Sequence, residues 1–263
     1  MLSVVQLRLN SLNEWTNAWE TPVPVPDLVT DLIERTVETP TESVSSAIHY
    51  LAGYLARFDF SLFRNGGQPL IERRTGPVQE EILIRVGKHA TAGSYIPISF
   101  DLHVNHADLR EVRDRYWTAA GRPPTSLVGG NSGLVQAKRT FDIWNVAPSD
   151  ALAELVKHFR EDVLPYFELL ASPNQLRRMV FAGEAQLFDP VTSLEWLLME
   201  FGRSDAKEYL RQLLNDEQVT PASFWQEHDI AKSQKFIGVR NGDITQSLAV
   251  IAVSHDLCKR WVY

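Results

Sequence analysis

The sequence predicts an α+β fold: a mostly antiparallel sheet of about four or five strands flanked by helices, followed by an all-helical C-terminal half. Two observations carry that expectation. Period-two alternation of apolar and polar residues is confined to the stretch between Phe58 and Val146, while from Pro173 onward the apolar spacing follows the 3.6-residue period of helices. Strands and helices thus come in blocks, an order that excludes a doubly wound α/β sheet. The third sign is a series of proline-headed helix starts outside the strand block.

Composition bounds the rest. With 263 residues, 44% hydrophobic and 22% charged, the chain can bury a substantial core and is too apolar for disorder as its main state. The longest apolar run, Ser247 to Ser254, is too short for a bilayer span, so no membrane partner is expected. No basic segment precedes an apolar stretch at the start, which predicts no secretory signal and a cytoplasmic protein. Cys258 is the single cysteine, so an internal disulfide and a thiolate metal cluster are both excluded.

Three regions are expected. Residues 1–38 read as an N-terminal helix or arm with a Pro-rich connector. Residues 39–171 read as the α+β domain, and 172–263 as a helical C-terminal subdomain. In the first, Leu7, Leu9, Leu12, Trp15 and Trp19 are the apolar members, and Thr21-Pro-Val-Pro-Val-Pro26 is held extended by its prolines. Thr39-Pro40-Thr41-Glu42 forms a capping box that opens a helix over about 40–56.

The strand block follows. Phe58, Phe60 and Leu62 alternate with polar residues, Asn65-Gly66-Gly67 turns the chain, and Leu70 to Arg74 returns as a hairpin. Glu80 to Val86 places Ile82, Ile84 and Val86 on one face. Tyr95 to Asn105 places Ile96, Ile98, Phe100, Leu102 and Val104 on one face, with Tyr95, Ser99, Asp101, His103 and Asn105 on the other. Pro97 marks an edge position or a bulge, leaving room for pairing with another strand. A helix over Ala107 to Ala120 stops at Gly121-Arg-Pro-Pro124. Gly129 to Gly133 reads as a turn, and Leu134 to Val146 as a further strand.

Helices complete the chain. The first runs from Ser149 with Leu152, Leu155, Val156, Phe159 and Val163 on its apolar stripe, and Pro165 should break or kink it. Others are expected over 173–183, 190–201, 221–230 and 243–262. Ser172-Pro-Asn-Gln175 has the form of a second capping box, and Asp189-Pro190 and Thr220-Pro221 supply a cap and a proline. Leu194–Phe201 and Ala206–Leu214, on either side of Gly202, suggest a helical hairpin.

The chemistry is sparse. Net charge is −7, with 12 Lys/Arg against 8 Asp/Glu over residues 57–140, 2 against 7 over 1–56, and 7 against 13 over 149–217. A mildly basic middle between acidic flanks makes nucleic acid an unlikely partner. No Gly-x-Ser-x-Gly elbow and no His-Glu-x-x-His helix is present, and Gly129 to Gly133 precedes a strand where a phosphate loop would precede a helix. Glu80 and Glu81 fall on opposite faces of a strand. Trp117, Trp144, Trp196 and Trp225 lie apart from arginine clusters and read as core or groove residues. The densest set of potential ligands is Asp101-Leu-His103-Val-Asn-His106-Ala-Asp108. Asp101, His103, His106 and Asp108 are the candidate catalytic residues, since three such groups converging would suit a divalent metal; the pattern alone specifies no metal site and no cofactor.

Residues 48–180 resemble a widespread bacterial family of domains of unknown function. The resemblance is carried by Leu-x-x-Phe-x-Phe and a charged hairpin (Leu55 to Arg74), by strands leading into a polar segment and a helix (Ile82 to Trp117), by Phe-Asp-Ile-Trp before a long helix (Phe141 to Arg160), and by Val-Leu-Pro-Tyr-Phe-Glu-Leu-Leu-Ala-Ser (Val163 to Ser172). It implies a bacterial, cytosolic α+β domain and supplies no catalytic residues. The functional expectation is a protein-interaction module, of the immunity type that binds and neutralises a toxin, more readily than an enzyme. The alternative is a metal-dependent hydrolase or nuclease that uses Asp101, His103, His106 and Asp108.

Overall fold

The computed structural model describes residues 39–258, apart from 66, 92–93, 117–124, 136–141, 149, 186–187, 217–218 and 235–242. The expected arm and connector over 1–38, Trp117 and the helix stop at 121–124 lie outside the described residues. From Thr39 onward the chain belongs to one compact unit.

Helix α1 (Pro40–Leu55) starts as its sequence dictates. The Thr39 hydroxyl oxygen accepts a bond from the Glu42 amide, and the Glu42 carboxylate accepts one from the Thr39 amide, closing the capping box. Strands β1 (Ser61–Asn65), β2 (Gln68–Thr75), β3 (Val78–Val86), β4 (Pro97–His106) and β5 (Ser126–Asn131) then form an antiparallel meander in chain order, and the two-residue β6 (Trp144–Asn145) pairs with β4 beside β5. Alternation sets the faces. Leu62, Ile71, Ile82 and Leu102 align across β1 to β4 on the core side, with Ile84 opposite Phe100 in the next row. The β2–β3 turn is Gly76-Pro77, where Gly76 takes a φ of +59° that a side chain would disfavour.

After β4 come α2 (Leu109–Arg113), then α3 (Ala151–His158), a π-helical turn (Phe159–Val163) and α4 (Leu164–Leu170). The described C-terminal half is all-helical: α5 (Pro173–Ala182), α6 (Pro190–Glu200), α7 (Arg203–Asn215), α8 (Pro221–Ser233) and α9 (Ile244–Ser254). The α6–α7 hairpin turns through Gly202 at φ +77°. One hydrophobic cluster runs from Val44 to Leu257, so the boundary expected near 171 is a turn between α4 and α5 with a continuous core across it. Among the described residues, no helix is long and apolar enough to cross a membrane.

Several local expectations are corrected. Pro97 lies in an interior strand flanked by β3 on one side and by β5 and β6 on the other. It is tolerated as the first residue of β4, so the open edge expected there does not exist. Gly129, Gly130 and Asn131 form ladder pairs with His103, Leu102 and Asp101 instead of a turn. The strand expected over 134–146 is reduced, among its described residues, to Trp144–Asn145, because Ser132–Val135 curls into a 3-10 turn. Of the helix expected over 107–120, only Leu109–Arg113 is α-helical among the described residues.

Two helix signals also fail. Ser172 does not close a capping box: its hydroxyl donates back to the Glu168 carbonyl, completing the preceding helix. Of the break or kink expected at Pro165, the break does not occur: helix continues through Leu164–Leu170. The chain widens into the π turn just before the proline, with the Leu164 amide bonding to Phe159, which relieves the clash an α-helix would force between the prolyl ring and the Glu161 carbonyl.

Candidate functional site: the polar face of the sheet

The face of the sheet away from the hydrophobic cluster is assembled by strand register. The Gly76-Pro77 turn pairs Thr75 with Val78, and counting outward sets Glu72 opposite Glu81 and Arg74 opposite Gln79. On β4 the partners of Gln79, Glu81 and Leu83 are Asn105, His103 and Asp101. One row therefore reads Phe63, Leu70, Leu83, Asp101, Asn131, and the next reads Ser61, Glu72, Glu81, His103, Gly129. Phe63, Leu70 and Leu83 all stand outside the hydrophobic cluster.

Hydrogen bonds hold this face in place. Gln79 Nε2 donates to both Glu72 Oε2 (3.0 Å) and Glu81 Oε1 (2.8 Å), bridging two carboxylates that would otherwise repel. Arg85 pairs with Asp101, and Arg74 Nε lies 3.6 Å from Glu72 Oε1. Burial pushes the Glu81 carboxyl above the usual carboxylate range, and Glu72 adds to that push. His103, the Asn105 amide and Arg74 oppose it. The imidazole of His103 sits over Gly129, where an added Cβ would come 2.9 Å from Nδ1, so glycine here makes room for histidine.

The four expected site residues are divided. Asp101 and His103 share the polar face. His106, an odd three residues beyond His103, turns to the buried side, where its Nδ1 accepts from the Asp108 amide (3.3 Å) and its Nε2 faces Glu200 Oε1 at 3.5 Å. Asp108 is exposed in the turn before α2 and makes no side-chain cap bond. Among the described residues, no three His, Cys, Asp or Glu side chains group closely enough to hold a metal ion. Sequence reading passed over Glu72, Gln79 and Glu81 as a set, although the two-residue Gly76-Pro77 turn was the signal that pairs them.

Two further charged clusters lie on the core side. Glu80, facing away from Glu81 as its strand position requires, binds Arg73 Nε at 2.5 Å. The guanidinium also donates to the Phe58 carbonyl and lies 4.6 Å from the centre of the Phe60 ring. Burial raises the neighbouring Glu168 carboxyl; Glu80 also raises it, and Arg73 opposes. Deeper still, Arg113 Nη2 meets Glu195 Oε2 at 2.5 Å, Arg113 Nη1 donates to the Ser126 carbonyl at 2.7 Å, and the Tyr116 hydroxyl donates to Glu195 Oε1. His255 Nε2 donates to the Val112 carbonyl at 3.0 Å. This second cluster ties the end of the sheet to α6 and α9.

The tryptophans and the cysteine take packing positions. Trp196 is buried, Trp144 stacks on His158 and Trp225 packs edge-on against Phe224. Cys258 is half-buried, and burial pushes its thiol up to about 11, which leaves little thiolate at neutral pH.

The fold and this face define an α+β protein with an antiparallel sheet, one side packed under helices and the other polar. No protein-family model, no curated protein and no solved structure matches the chain.

Proposed function

We propose that this chain is a protein-interaction module that uses the polar face of its sheet to engage another protein, in the manner of a cytosolic bacterial immunity protein occupying a toxin. The observation that carries this reading is the face itself. Glu72, Glu81, Asp101 and His103 are aligned across adjacent strands and held by Gln79 and Arg85, with the exposed Phe63, the half-buried Leu83 and the buried Leu70 beside them. Polar groups fixed before binding cost less entropy to engage, which suits recognition.

The test compares captured proteins for the wild type and two face variants, Phe63→Ser and Glu72→Gln/Glu81→Gln, in the native host. The expected result is one stoichiometric partner, lost with both variants and kept by Glu208→Gln on α7, whose activity the wild-type chain suppresses when the complex is rebuilt from purified parts. A partner retained equally by the face variants rejects this surface. Absence of any stoichiometric partner rejects the interaction reading.

A further inference from the structure

The two rows of the polar face differ in chemistry in a way that specifies what would fit them. Phe63, Leu70 and Leu83 make an apolar strip across β1, β2 and β3, about 10 Å long at the usual strand spacing. Two residues along each strand, about 7 Å away, Glu72 and Glu81 face each other with His103 beyond them. Phe63 is 47% exposed, Leu83 is half-buried and Leu70 is buried at 8%, so the strip reaches the surface at its Phe63 and Leu83 ends, and the carboxylate row does so beside the Arg74 side chain, which is 68% exposed.

We propose that the partner of this face is a basic amphipathic protein segment, its apolar side chains seated on Phe63 and Leu83 over the buried Leu70, and a lysine or arginine set between Glu72 and Glu81. This inference rests on the reading of the face as the interaction surface and names the chemistry of what binds there. Three features argue for it. Like charges directly opposite on neighbouring strands oppose folding, and here the donor between the two carboxylates is a neutral amide, Gln79 Nε2, with the Asn105 amide also on Glu81. An incoming cation replaces that shared donor with full charge compensation. The cations already on the face are placed at its margins: Arg85 is engaged by Asp101, and Arg74 approaches Glu72 from the exposed end of its row.

The spacing fits as well. On an amphipathic helix, side chains three and four residues apart are neighbours about 5–6 Å from one another, close to the separation of the apolar and acidic rows. The chain's net charge of −7 attracts a basic segment at long range. The same charge, with carboxylates meeting carboxylates, opposes a second copy of this chain as the occupant.

The test uses fluorescence anisotropy with a labelled synthetic helix-forming peptide of Leu and Lys in amphipathic order. Controls are the same composition scrambled and the ordered peptide with Glu in place of Lys. The ordered basic peptide is expected to bind the wild-type protein, to lose about tenfold in affinity with Phe63→Ser and with Glu72→Gln/Glu81→Gln, and to be unaffected by Glu208→Gln. Both substitutions lie on a half-exposed face and replace charge or apolar area without filling the core. Circular dichroism and the thermal midpoint confirm that each variant is folded.

Equal affinity across the variants, equal binding by the scrambled or acidic peptide, or no measurable binding of the ordered peptide overturns the proposal. A stable dimer in light scattering, dispersed by Phe63→Ser, overturns it in favour of self-association. A host partner that needs this face yet presents an acidic or uncharged surface overturns the inference and leaves the interaction reading standing.

Discussion

Glu195→Gln tests how much the fold relies on its most buried charges. Arg113 is 0% exposed, and Glu195 and Tyr116 are each 1% exposed. The glutamine keeps the shape of Glu195 and can still accept from Tyr116, but it leaves the Arg113 guanidinium charged and sealed from water. Breaking a buried pair by removing one partner costs about 3–5 kcal/mol. For a compact unit of this size each kcal/mol shifts the melting midpoint by about 2–4 °C, so the expected fall is roughly 6–20 °C. Urea unfolding followed by circular dichroism and by tryptophan fluorescence reads the change, with coincident transitions as the check on two-state behaviour. The paired variant Arg113→Met/Glu195→Leu should recover to within about 2 kcal/mol of the wild type, because no charge is then stranded. A loss below about 1 kcal/mol for Glu195→Gln refutes the reasoning. It would mean that water or rearrangement reaches the guanidinium and that the cluster is not sealed.

Gly129→Ala should destabilise the protein, since its Cβ would lie 2.9 Å from His103 Nδ1, and His103→Ala in the same chain should restore most of the loss; equal destabilisation in both backgrounds would place the strain elsewhere. His255 gives a pH signature. Burial first, then Arg115 and Arg203, hold its imidazole below the ordinary histidine value, so the folded state favours the neutral ring. Its contribution is fully present above the unfolded value of about 6.5 and is lost as pH falls through the lowered folded value, and His255→Gln should flatten the thermal midpoint over that window. The sign is opposite for Glu81, whose carboxyl is raised. Its contribution is present at low pH and lost as pH rises, so Glu81→Gln should raise the thermal midpoint at pH 7 and change it little at pH 4, as differential scanning fluorimetry will show. Zinc or manganese should leave the thermal midpoint unchanged, because Asp101 and His106 point to opposite sides of β4; a saturable rise lost in His103→Ala would restore the metal-dependent reading.

The local elements were legible wherever short-range rules decide them. The capping box at Thr39 closes as written, and Asp189 and Asp243 cap α6 and α9 by accepting from the amides of Thr192 and Gln246. The alternation from Ile98 to Val104 appears as a buried row in β4. Elements went wrong where a distant strand intervened or where an adjoining turn claimed the same groups. Gly129 to Asn131 became strand because β4 offers them ladder bonds and His103 needs the space above Gly129. Ser172 completes the preceding helix instead of capping the next, and Pro165 was accommodated by a π turn that no periodicity announces.

The same division applies to the candidate site. Period two in the sequence was enough to place Asp101 and His103 on one side of a strand and to separate Glu80 from Glu81. His106 leaves that set because the strand runs one residue further than expected and carries it to the buried face. The pairing of Glu72 with Glu81, and the meeting of Arg113 with Glu195 across more than eighty positions of chain, belong to the tertiary structure. By itself the sequence determined the α+β class, the separation of strands from helices and the faces of each element, because these follow from side-chain periodicity and local backbone chemistry. Which faces meet, which charges are buried together and which side of the sheet lies outside the core were decided only in three dimensions, where strand register and helix packing bring remote residues within a few ångströms.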